Sequence, residues 1–229
     1  YEDPQCQMSD AEVMTTAITA MLYFGGNYTR ARTFLKEYHY IPRMLSASRF
    51  SRRLQRIQDL FLTLFALLGE HWKALNTESI YSIDSFPIPV CDNTRIPRAR
   101  IYTEERYRGY IPSKKRYFYG LKLHLLVTKA GQPVELFLTL GSTADVSTLQ
   151  HYAFDLLSEA TAYTDRGYND YGFEDHLRET DGIDLQPMRK KNSKRLTLPG
   201  IVTYNITIAS GWKQPAVRLL VVSPNPFMP

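Results

Sequence analysis

The spacing of apolar residues changes near residue 79, and this change constrains the fold more than any other feature of the chain. Before it, apolar side chains recur at helical spacing, as in the series Val13, Ala17, Ile18, Met21 and Leu22. After it, they alternate or form short runs bounded by turn residues, which is typical of strands. The sequence therefore predicts a helical N-terminal domain at residues 1–78 and a mixed α/β domain from residue 79.

Three helices are predicted in the N-terminal domain. The first begins after Ser9, a good N-cap followed by acidic residues, and ends at the turn Gly25-Gly26-Asn27. The second covers residues 29–38, and the third begins at Ser46 or Ser48. Three helices joined by short turns fit a helix-turn-helix module that binds DNA, and they fit equally well a bundle that only packs on the next domain.

The elements predicted after residue 79 follow the order βββ-α-β-α-β, which indicates a mixed α/β sheet. Residues 93–116 interrupt this order as a polar, basic, proline-containing insertion. The predicted elements are strands at 80–86, 117–128 and 134–140, a helix at 146–159, a strand at 160–164, a helix at 171–180 and a strand at 183–188.

Length and composition exclude several classes of protein. The chain has 229 residues, 44% of them hydrophobic, which is enough for a sizeable core and argues against disorder. No signal peptide and no apolar run of membrane-spanning length is visible, so we expect a cytoplasmic protein whose cysteines, Cys6 and Cys91, are reduced. The net charge of +5 and the pI of about 9.1 favour a polyanionic partner. Because the chain begins with Tyr1 and not Met, we expect its coding sequence to start upstream.

Asp84 and Asp165 are the carboxylates with the most informative positions. Asp84 follows Ile83 within an apolar strand, where a carboxylate is unfavourable unless it is paired or binds a metal. Asp165 comes directly after the strand predicted at 160–164. Two such hard oxygen ligands, with a third carboxylate from a later helix, suit a pair of Mg²⁺ ions. On spacing alone, ordinary aspartates at strand ends are the commoner explanation.

Several literal blocks of sequence resemble one family of bacterial insertion-sequence transposases, the DDE transposases. In order along the chain, they are residues 84–93 (DSFPIPVCDN), 109–111 (GYI), 114–120 (KKRYFYG), 164–170 (TDRGYND) and 189–195 (RKKNSKR). The similarity extends from about residue 8 to Arg195. Long blocks in the right order are far more specific than a lone pair of aspartates.

The resemblance implies an RNase H-like catalytic domain at residues 79–195, in which the first and fourth strands lie side by side. It implies Asp84 and Asp165 as the first two members of the catalytic triad and as ligands of Mg²⁺, with Mn²⁺ as a substitute. Asp145 is similar to a further aspartate of the family, although helix N-capping before Val146 explains it as well. The implied partners are the terminal inverted repeats of the element, target DNA and further copies of the chain assembled on that DNA, in the cytoplasm or on the nucleoid.

Two basic stretches flank the predicted metal ligands. Cations for phosphates with interleaved tyrosines for unstacked bases are typical of a loop that contacts DNA. A loop that is merely kept soluble by its charge is the alternative, and the position of the stretches beside both aspartates favours DNA contact. The predicted DNA-binding residues are Arg95, Arg98, Arg100, Arg106, Arg108, Lys114, Lys115 and Arg116 in the first stretch, and Arg189, Lys190, Lys191, Lys194 and Arg195 in the second.

Residues 196–229 do not continue the resemblance, and their only charged side chains are Lys213 and Arg218. Shifting the reading frame by one base forces a Glu at the junction of Trp212 and Lys213, because the Trp codon ends in G and Lys codons begin with AA. Allowed codons for residues 205–213 give Y-Y-H-R-K-R-V-E in that frame, which resembles the Y-x-x-R-x-x-x-E signature around the third carboxylate of related transposases. We therefore hypothesise a single-nucleotide frameshift near the codon for Arg195 and an out-of-frame tail at 196–229.

The sequence thus predicts a DDE transposase that carries out metal-dependent DNA cleavage and strand transfer and that is inactive in this form. The alternative is a non-catalytic remnant that still binds DNA. The third carboxylate separates the two, since a DDE site acts as a unit and loses most of its rate with any one member.

Overall fold

The computed structural model describes residues 7–111, 114–189 and 193–195. Lys190 and Lys191, both predicted to contact DNA, and the expected out-of-frame tail at 196–229 lie outside the described residues. The chain forms two compact units, of which the first ends at Leu67 and the second begins at Leu68. None of the helices in the described part is long and apolar enough to cross a membrane.

The first unit is helical, as its apolar periodicity predicts. Ser9 caps the first helix through a reciprocal capping box with Glu12, and Gly25 ends that helix in the left-handed conformation at φ 59°. Buried side chains from three helices, including Val13, Leu35 and Phe50, form the core of this unit. The helices are α1 (Asp10–Phe24), α2 (Tyr28–Glu37), α3 (Ala47–Arg56) and the start of α4 (Gln58–Leu75).

The single third helix expected from the sequence is two helices. The chain leaves the helical conformation at the buried Ile57, and α4 begins at the next residue. Apolar residues keep their spacing across this break, so the periodicity does not reveal it. Ser46 is the N-cap of α3, but its side chain makes no capping hydrogen bond.

A mixed sheet of six strands forms the second unit, in the order β2-β3-β1-β5-β6, with β4 paired to β3. The strand β1 pairs with β3 antiparallel and with β5 parallel, and β5 pairs with β6 parallel. This confirms the predicted mixed α/β class and is consistent with an RNase H-like domain. The elements are β1 (Ile80–Asp92), β2 (Arg108–Ile111), β3 (Arg116–Thr128), β4 (Pro133–Leu140), α5 (Asp145–Leu149), β5 (Thr161–Thr164), α6 (Tyr171–Asp181) and β6 (Asp184–Pro187).

Two predictions for this unit are wrong. The basic insertion at 93–116 contains the strand β2 and two short 3-10 turns, because Gly109 and its neighbours pair with the start of β3. The helix predicted at 146–159 stops at Leu149. Tyr152 then stacks on Phe137 with ring centroids 3.9 Å apart, and Phe154 packs on the core, so side-chain anchoring outweighs helical propensity in this segment.

The second unit begins within α4, at Leu68. Gly69 is the reason that the last turns of α4 lie so close to the sheet, since a Cβ there would collide with the Val134 carbonyl oxygen. Trp72, one turn later, packs against the core that Tyr81 and Leu126 help to form. The pattern of the sequence marks where strands start, whereas the unit boundary depends on what α4 contacts.

Candidate active site

Asp84 and Asp165 emerge at the same point of the sheet. The parallel pairing of β1 with β5 sets Ile83 opposite Thr164, and the two aspartates are the next residue on each strand path. The first and fourth strands predicted from the sequence correspond to β1 and β5, and their predicted adjacency is confirmed. Backbone amides hold both carboxylates: the Ser85 N–H donates to Asp84 at 2.7 Å and the Gly167 N–H donates to Asp165 at 2.7 Å.

Burial and neighbouring negative charges disfavour the ionised forms of both aspartates. Burial raises the pKa of Asp84 to about 7; the hydrogen bond from Ser85 opposes this, and the charges of Asp165 and Asp145 add to it. Burial also raises the pKa of Asp165, against the hydrogen bond from Gly167 and with the charge of Asp145. Raised carboxylate pKa values caused by burial and like charge are typical of a site that favours a bound cation.

Asp145 is the third acidic side chain at this point. It is the first residue of α5, whose N-cap is Ala144, so the helix-capping explanation of Asp145 is wrong. A Cβ placed on Gly167 would lie 3.0 Å from oxygens of both Asp145 and Asp165, which makes these two carboxylates close neighbours. The absence of a side chain at Gly167 is what lets them approach the same backbone.

Lys122 holds Asp145 in place. Its ammonium donates to the Asp145 carboxylate at 3.1 Å and to the Thr143 carbonyl oxygen at 2.7 Å, and both side chains of the ion pair are about one-fifth exposed. The positive charge of Lys122 also offsets part of the rise that burial causes in the pKa of Asp165. Lys122 belongs by sequence to the basic face, and the sequence does not predict that it pairs with Asp145.

A buried polar network supports the two aspartates from behind. The His124 ring accepts or donates at both nitrogens, to the Tyr168 hydroxyl at 2.7 Å and to the Thr139 hydroxyl at 2.9 Å, and it stacks on Phe137. The Tyr168 hydroxyl also bonds to Ser85, the residue after Asp84. Burial lowers the pKa of His124 to about 4, so the ring is neutral at pH 7. The network ties the end of β1 to the turn that carries Asp165.

This geometry predicts how stability depends on pH in the variant Asp84→Asn. The raised pKa of Asp84 gives stability that is lost as pH rises from about 4 to about 7, whereas the lowered pKa of His124 gives stability that is lost as pH falls through the same range. Removing the Asp84 carboxyl takes away its opposition to the His124 effect, while the opposition from Asp165, whose pKa is also raised, stays the same in parent and variant. We expect the slope of unfolding free energy against pH to become more positive by about 1.4 kcal/mol per pH unit near the middle of this range.

Urea denaturation in EDTA at several pH values measures this slope. Asp155→Asn is the matched control, because Asp155 is an exposed carboxylate paired with Lys73 far along the chain from Asp84. The control should keep the parent slope. An unchanged slope in Asp84→Asn would contradict the raised pKa of Asp84.

The donor set fits a divalent cation in part. Asp84 and Asp165 supply adjacent hard oxygen ligands of the kind that Mg²⁺ and Mn²⁺ prefer. Across residues 7–111, 114–189 and 193–195, no three carboxylate, histidine or cysteine side chains are grouped closely enough to hold a metal ion. The third carboxylate in the vicinity, Asp145, is occupied by Lys122.

Glu174 on α6 does not supply a third carboxylate beside Asp84 and Asp165. Its carboxylate is 4% exposed and forms a two-pronged ion pair with the buried Arg189, at 2.7 and 2.6 Å, and a further bond to Arg195. Arg189 and Arg195 also lie over the Tyr171 ring. These two arginines of the second basic stretch are engaged within the fold, which does not favour the DNA contact predicted for them. Lys194, in the same stretch, is exposed.

The first basic stretch is mostly exposed. Arg106 and Arg108 pair with Glu104 and Glu105, two bonds that add little in water. Tyr110 and Tyr117 face each other across β2 and β3 with ring centroids 4.9 Å apart, and each is 46% exposed. The exposed cations of this stretch are Arg95, Arg98, Arg100, Arg106, Lys114, Lys115 and Arg116, with Arg108 half-buried.

The fold and the paired aspartates together define an RNase H-like class of domain. Within that class, a family model described as a transposase DDE domain matches residues 74–201, more than half of the chain. The chain belongs to this family of DDE transposases, as the resemblance of its sequence blocks predicts. A comparison with curated proteins found no match.

Proposed function

We propose that this chain derives from a transposase that cleaves the ends of a bacterial insertion sequence and joins them to target DNA. The observation that carries the proposal is the convergence of Asp84 and Asp165 at neighbouring strand ends in a chain of the DDE family. DNA is the substrate that the family implies. The terminal inverted repeats as the recognised ends, and self-association of the chain on them, are further parts of the proposal.

Asp84 and Asp165 are the catalytic residues in this proposal and would hold Mg²⁺, or Mn²⁺ in its place, which when bound activates the attacking oxygen and stabilises the leaving oxygen of a phosphodiester. The Ser85 and Gly167 amides orient the two carboxylates. The His124–Tyr168 network fixes the strand ends that carry them. Lys122 neutralises Asp145 and so limits the repulsion that a third negative charge would add beside Asp165.

The proposal includes loss of activity in this form. No third carboxylate completes the site among the residues that the structure describes, and Glu174 is engaged with arginines. The reading frame shifted by one base restores a Glu at the junction of Trp212 and Lys213, within a stretch that resembles the family. End cleavage with Mg²⁺ or Mn²⁺ tests the function directly, with Asp84→Ala as the control for any contaminating nuclease.

A non-catalytic DNA-binding remnant is the second candidate. The incomplete carboxylate set favours it, together with the exposed cations of the first basic stretch. Such a remnant would retain recognition of the ends and could interfere with an intact transposase. The two candidates share DNA binding and differ in chemistry, so binding and cleavage have to be measured separately.

Salt-sensitive DNA binding is expected to depend on Lys114, Lys115 and Arg116. Replacing all three with Ala should weaken binding to a labelled duplex and flatten the plot of log affinity against log salt by about 0.9 for each phosphate that these side chains neutralise. A control variant, Lys129→Ala with Arg178→Ala, removes two exposed cations that already pair with carboxylates. If the triple variant and the control keep the parent slope alike, these residues only solvate the loop.

A further inference from the structure

We propose that Tyr152 is a positioning residue for the aspartate pair, and that it acts by holding the His124 ring in the orientation that fixes β1 at Asp84. The inference rests on the proposed function in one respect, that Asp84 and Asp165 bind a divalent cation. It assigns a role to the segment of residues 150–160, which connects α5 to β5 and forms neither helix nor strand. The whole path from Tyr152 to Asp84 lies within the second unit.

Three aromatic rings stand in a row, with Phe137 between Tyr152 and His124. The Phe137 ring is 3.9 Å from the Tyr152 ring and 4.7 Å from the His124 ring, measured between centroids. The ring planes are 22° apart at the first contact and 2° apart at the second, so both contacts are stacked. Phe137 and His124 are directly opposite each other in the pairing of β4 with β3, so the sheet itself builds half of the stack. A displacement of the Tyr152 ring therefore reaches His124 through a single side chain.

The stack controls the motion of the His124 ring that its hydrogen bonds leave free. Both ring nitrogens are bonded, one to the Tyr168 hydroxyl at 2.7 Å and the other to the Thr139 hydroxyl at 2.9 Å. Two such bonds fix where the nitrogens lie, whereas the ring can still rock about the line that joins them. The face of Phe137 opposes that rocking, because a packed interior leaves no room for it. Since the Tyr168 hydroxyl also bonds to Ser85, a tilt of the His124 ring would be passed on to β1.

The far end of the stack is anchored by charge. The Tyr152 hydroxyl donates to one oxygen of the Glu135 carboxylate, and Lys73 pairs with the other oxygen at 2.8 Å. Glu135 and Phe137 are two residues apart on β4 and so lie on the same face of the sheet, which places the anchor beside the stack. The side chains of Lys73 and Glu135 are 11% and 10% exposed, so this ion pair is little weakened by solvent. Burial and the hydrogen bond to Glu135 raise the pKa of Tyr152, so its hydroxyl stays protonated and remains a donor.

The polar character of this path favours a positioning role over packing alone. His124 and Tyr168 are fully buried, and burying ring nitrogens and hydroxyls is unfavourable unless each is bonded. Apolar side chains of similar size would fill the same space without that cost. Groups that hydrogen-bond behind a metal ligand orient it, and their loss lowers the affinity for the metal. The path from Glu135 through Tyr152 to His124 therefore has the chemistry of a support for Asp84.

The test measures the Mn²⁺ affinity of the full chain by electron paramagnetic resonance, at a temperature where circular dichroism shows each variant to be folded. Tyr152→Leu removes the ring and should lower the affinity about tenfold, the lower end of the effect of losing a supporting group. Tyr152→Phe keeps the stacked ring and should restore most of the affinity. Phe137→Leu should lose as much as Tyr152→Leu, and the double variant should lose no more than either, because both side chains act through the same path.

Trp72→Leu is the matched control, because it also removes a partly buried aromatic side chain from the core of this unit and lies outside the stack. It should lower the thermal stability and leave the Mn²⁺ affinity unchanged. The ring nitrogens of His124, observed by NMR of the chain labelled with ¹⁵N-histidine in EDTA, give a readout without metal. Their resonances should shift in Tyr152→Leu and Phe137→Leu and stay in place in Trp72→Leu.

Each outcome decides the inference. Parent-like Mn²⁺ affinity in folded Tyr152→Leu would overturn it, and so would an equal loss in Trp72→Leu, since a loosened core would then be enough. Losses that add up in the double variant would overturn the path through Phe137. If Tyr152→Leu does not fold, Phe137→Leu decides, because parent-like affinity in that variant also breaks the path. All these results would leave the proposed function intact, whereas a parent chain that does not bind Mn²⁺ would contradict the metal role of the aspartates and the inference with it.

Discussion

Asp84→Asn and Asp165→Asn are each expected to lower the affinity for Mn²⁺ by about a hundredfold or more, since even the loss of a group that only supports a metal ligand costs about 10–100-fold. The two carboxylates lie at neighbouring strand ends and are crowded by like charge. In our proposal each variant removes one of two oxygen ligands and one of the negative charges that would attract the cation. The remaining aspartate alone cannot replace the lost oxygen ligand or the lost charge.

The affinity should also depend on pH in a defined direction. Because burial and neighbouring charges raise the pKa of Asp84 to about 7, Mn²⁺ has to displace a proton at acidic pH. Below pH 7 we expect the apparent affinity to fall about tenfold for each pH unit, and above it to level off. Asp84→Asn should weaken this pH dependence together with the affinity, and the part that remains should come from Asp165, whose pKa burial also raises.

Titration calorimetry or electron paramagnetic resonance of Mn²⁺ measures the affinity of the parent chain and of each variant at several pH values. Asp155→Asn again serves as the control, because it removes an exposed carboxylate that pairs with Lys73 and should leave the affinity unchanged. Full Mn²⁺ binding by the double variant of Asp84 and Asp165 would show that the cation binds elsewhere, and the metal role of both aspartates would have to be abandoned.

Regular periodicity made most of the sheet predictable. Strands β1, β3, β4, β5 and β6 follow alternating or apolar runs, and the structure contains all five. The edge strand β2 was missed, because Arg108 and Tyr110 are polar or exposed and it forms only by pairing with β3. Leu149 and Leu156 are seven residues apart, as on one helix face, yet Leu149 ends a short helix and Leu156 lies in a segment without regular secondary structure, which spacing alone cannot distinguish.

The candidate site was predictable in its aspartates and not in the groups around them. Asp84 and Asp165 stand out because each follows an apolar strand, and strand pairing alone brings them together. Lys122, His124 and Tyr168 reach the site only through the packing of β3 and of the turn after Asp165, so no local pattern marks them. Basic residues that are close in sequence also differ in their surroundings. Lys194 is exposed, whereas Arg189 is buried against Glu174.

Restoring the reading frame after Arg195 is expected to convert a chain without detectable end cleavage into an active one. Asp84 and Asp165 alone leave a cation pair under-coordinated, and among the described residues neither Asp145, paired with Lys122, nor Glu174 completes the set. In the frame shifted by one base, the Trp212 and Lys213 codons force a Glu within a stretch that resembles the signature of related transposases. Members of such a site act as a unit, so regaining the third should raise the rate by several orders of magnitude, on the order of 10⁴-fold or more.

The measurement is cleavage and strand transfer on DNA that carries the termini of the element, with Mg²⁺ or Mn²⁺, for this chain and for the frame-restored chain side by side. A frame-restored version in which only the regained Glu is replaced by Gln is the matched control, because it keeps the restored segment and removes one carboxylate. Robust turnover by this chain, abolished by Asp84→Ala, would mean that another residue supplies the third ligand, and Asp145 released from Lys122 would be the first to replace. If the restored chain cleaves, its Gln variant does not and this chain only binds, the parent element encoded a transposase and the present sequence retains its DNA recognition without its chemistry.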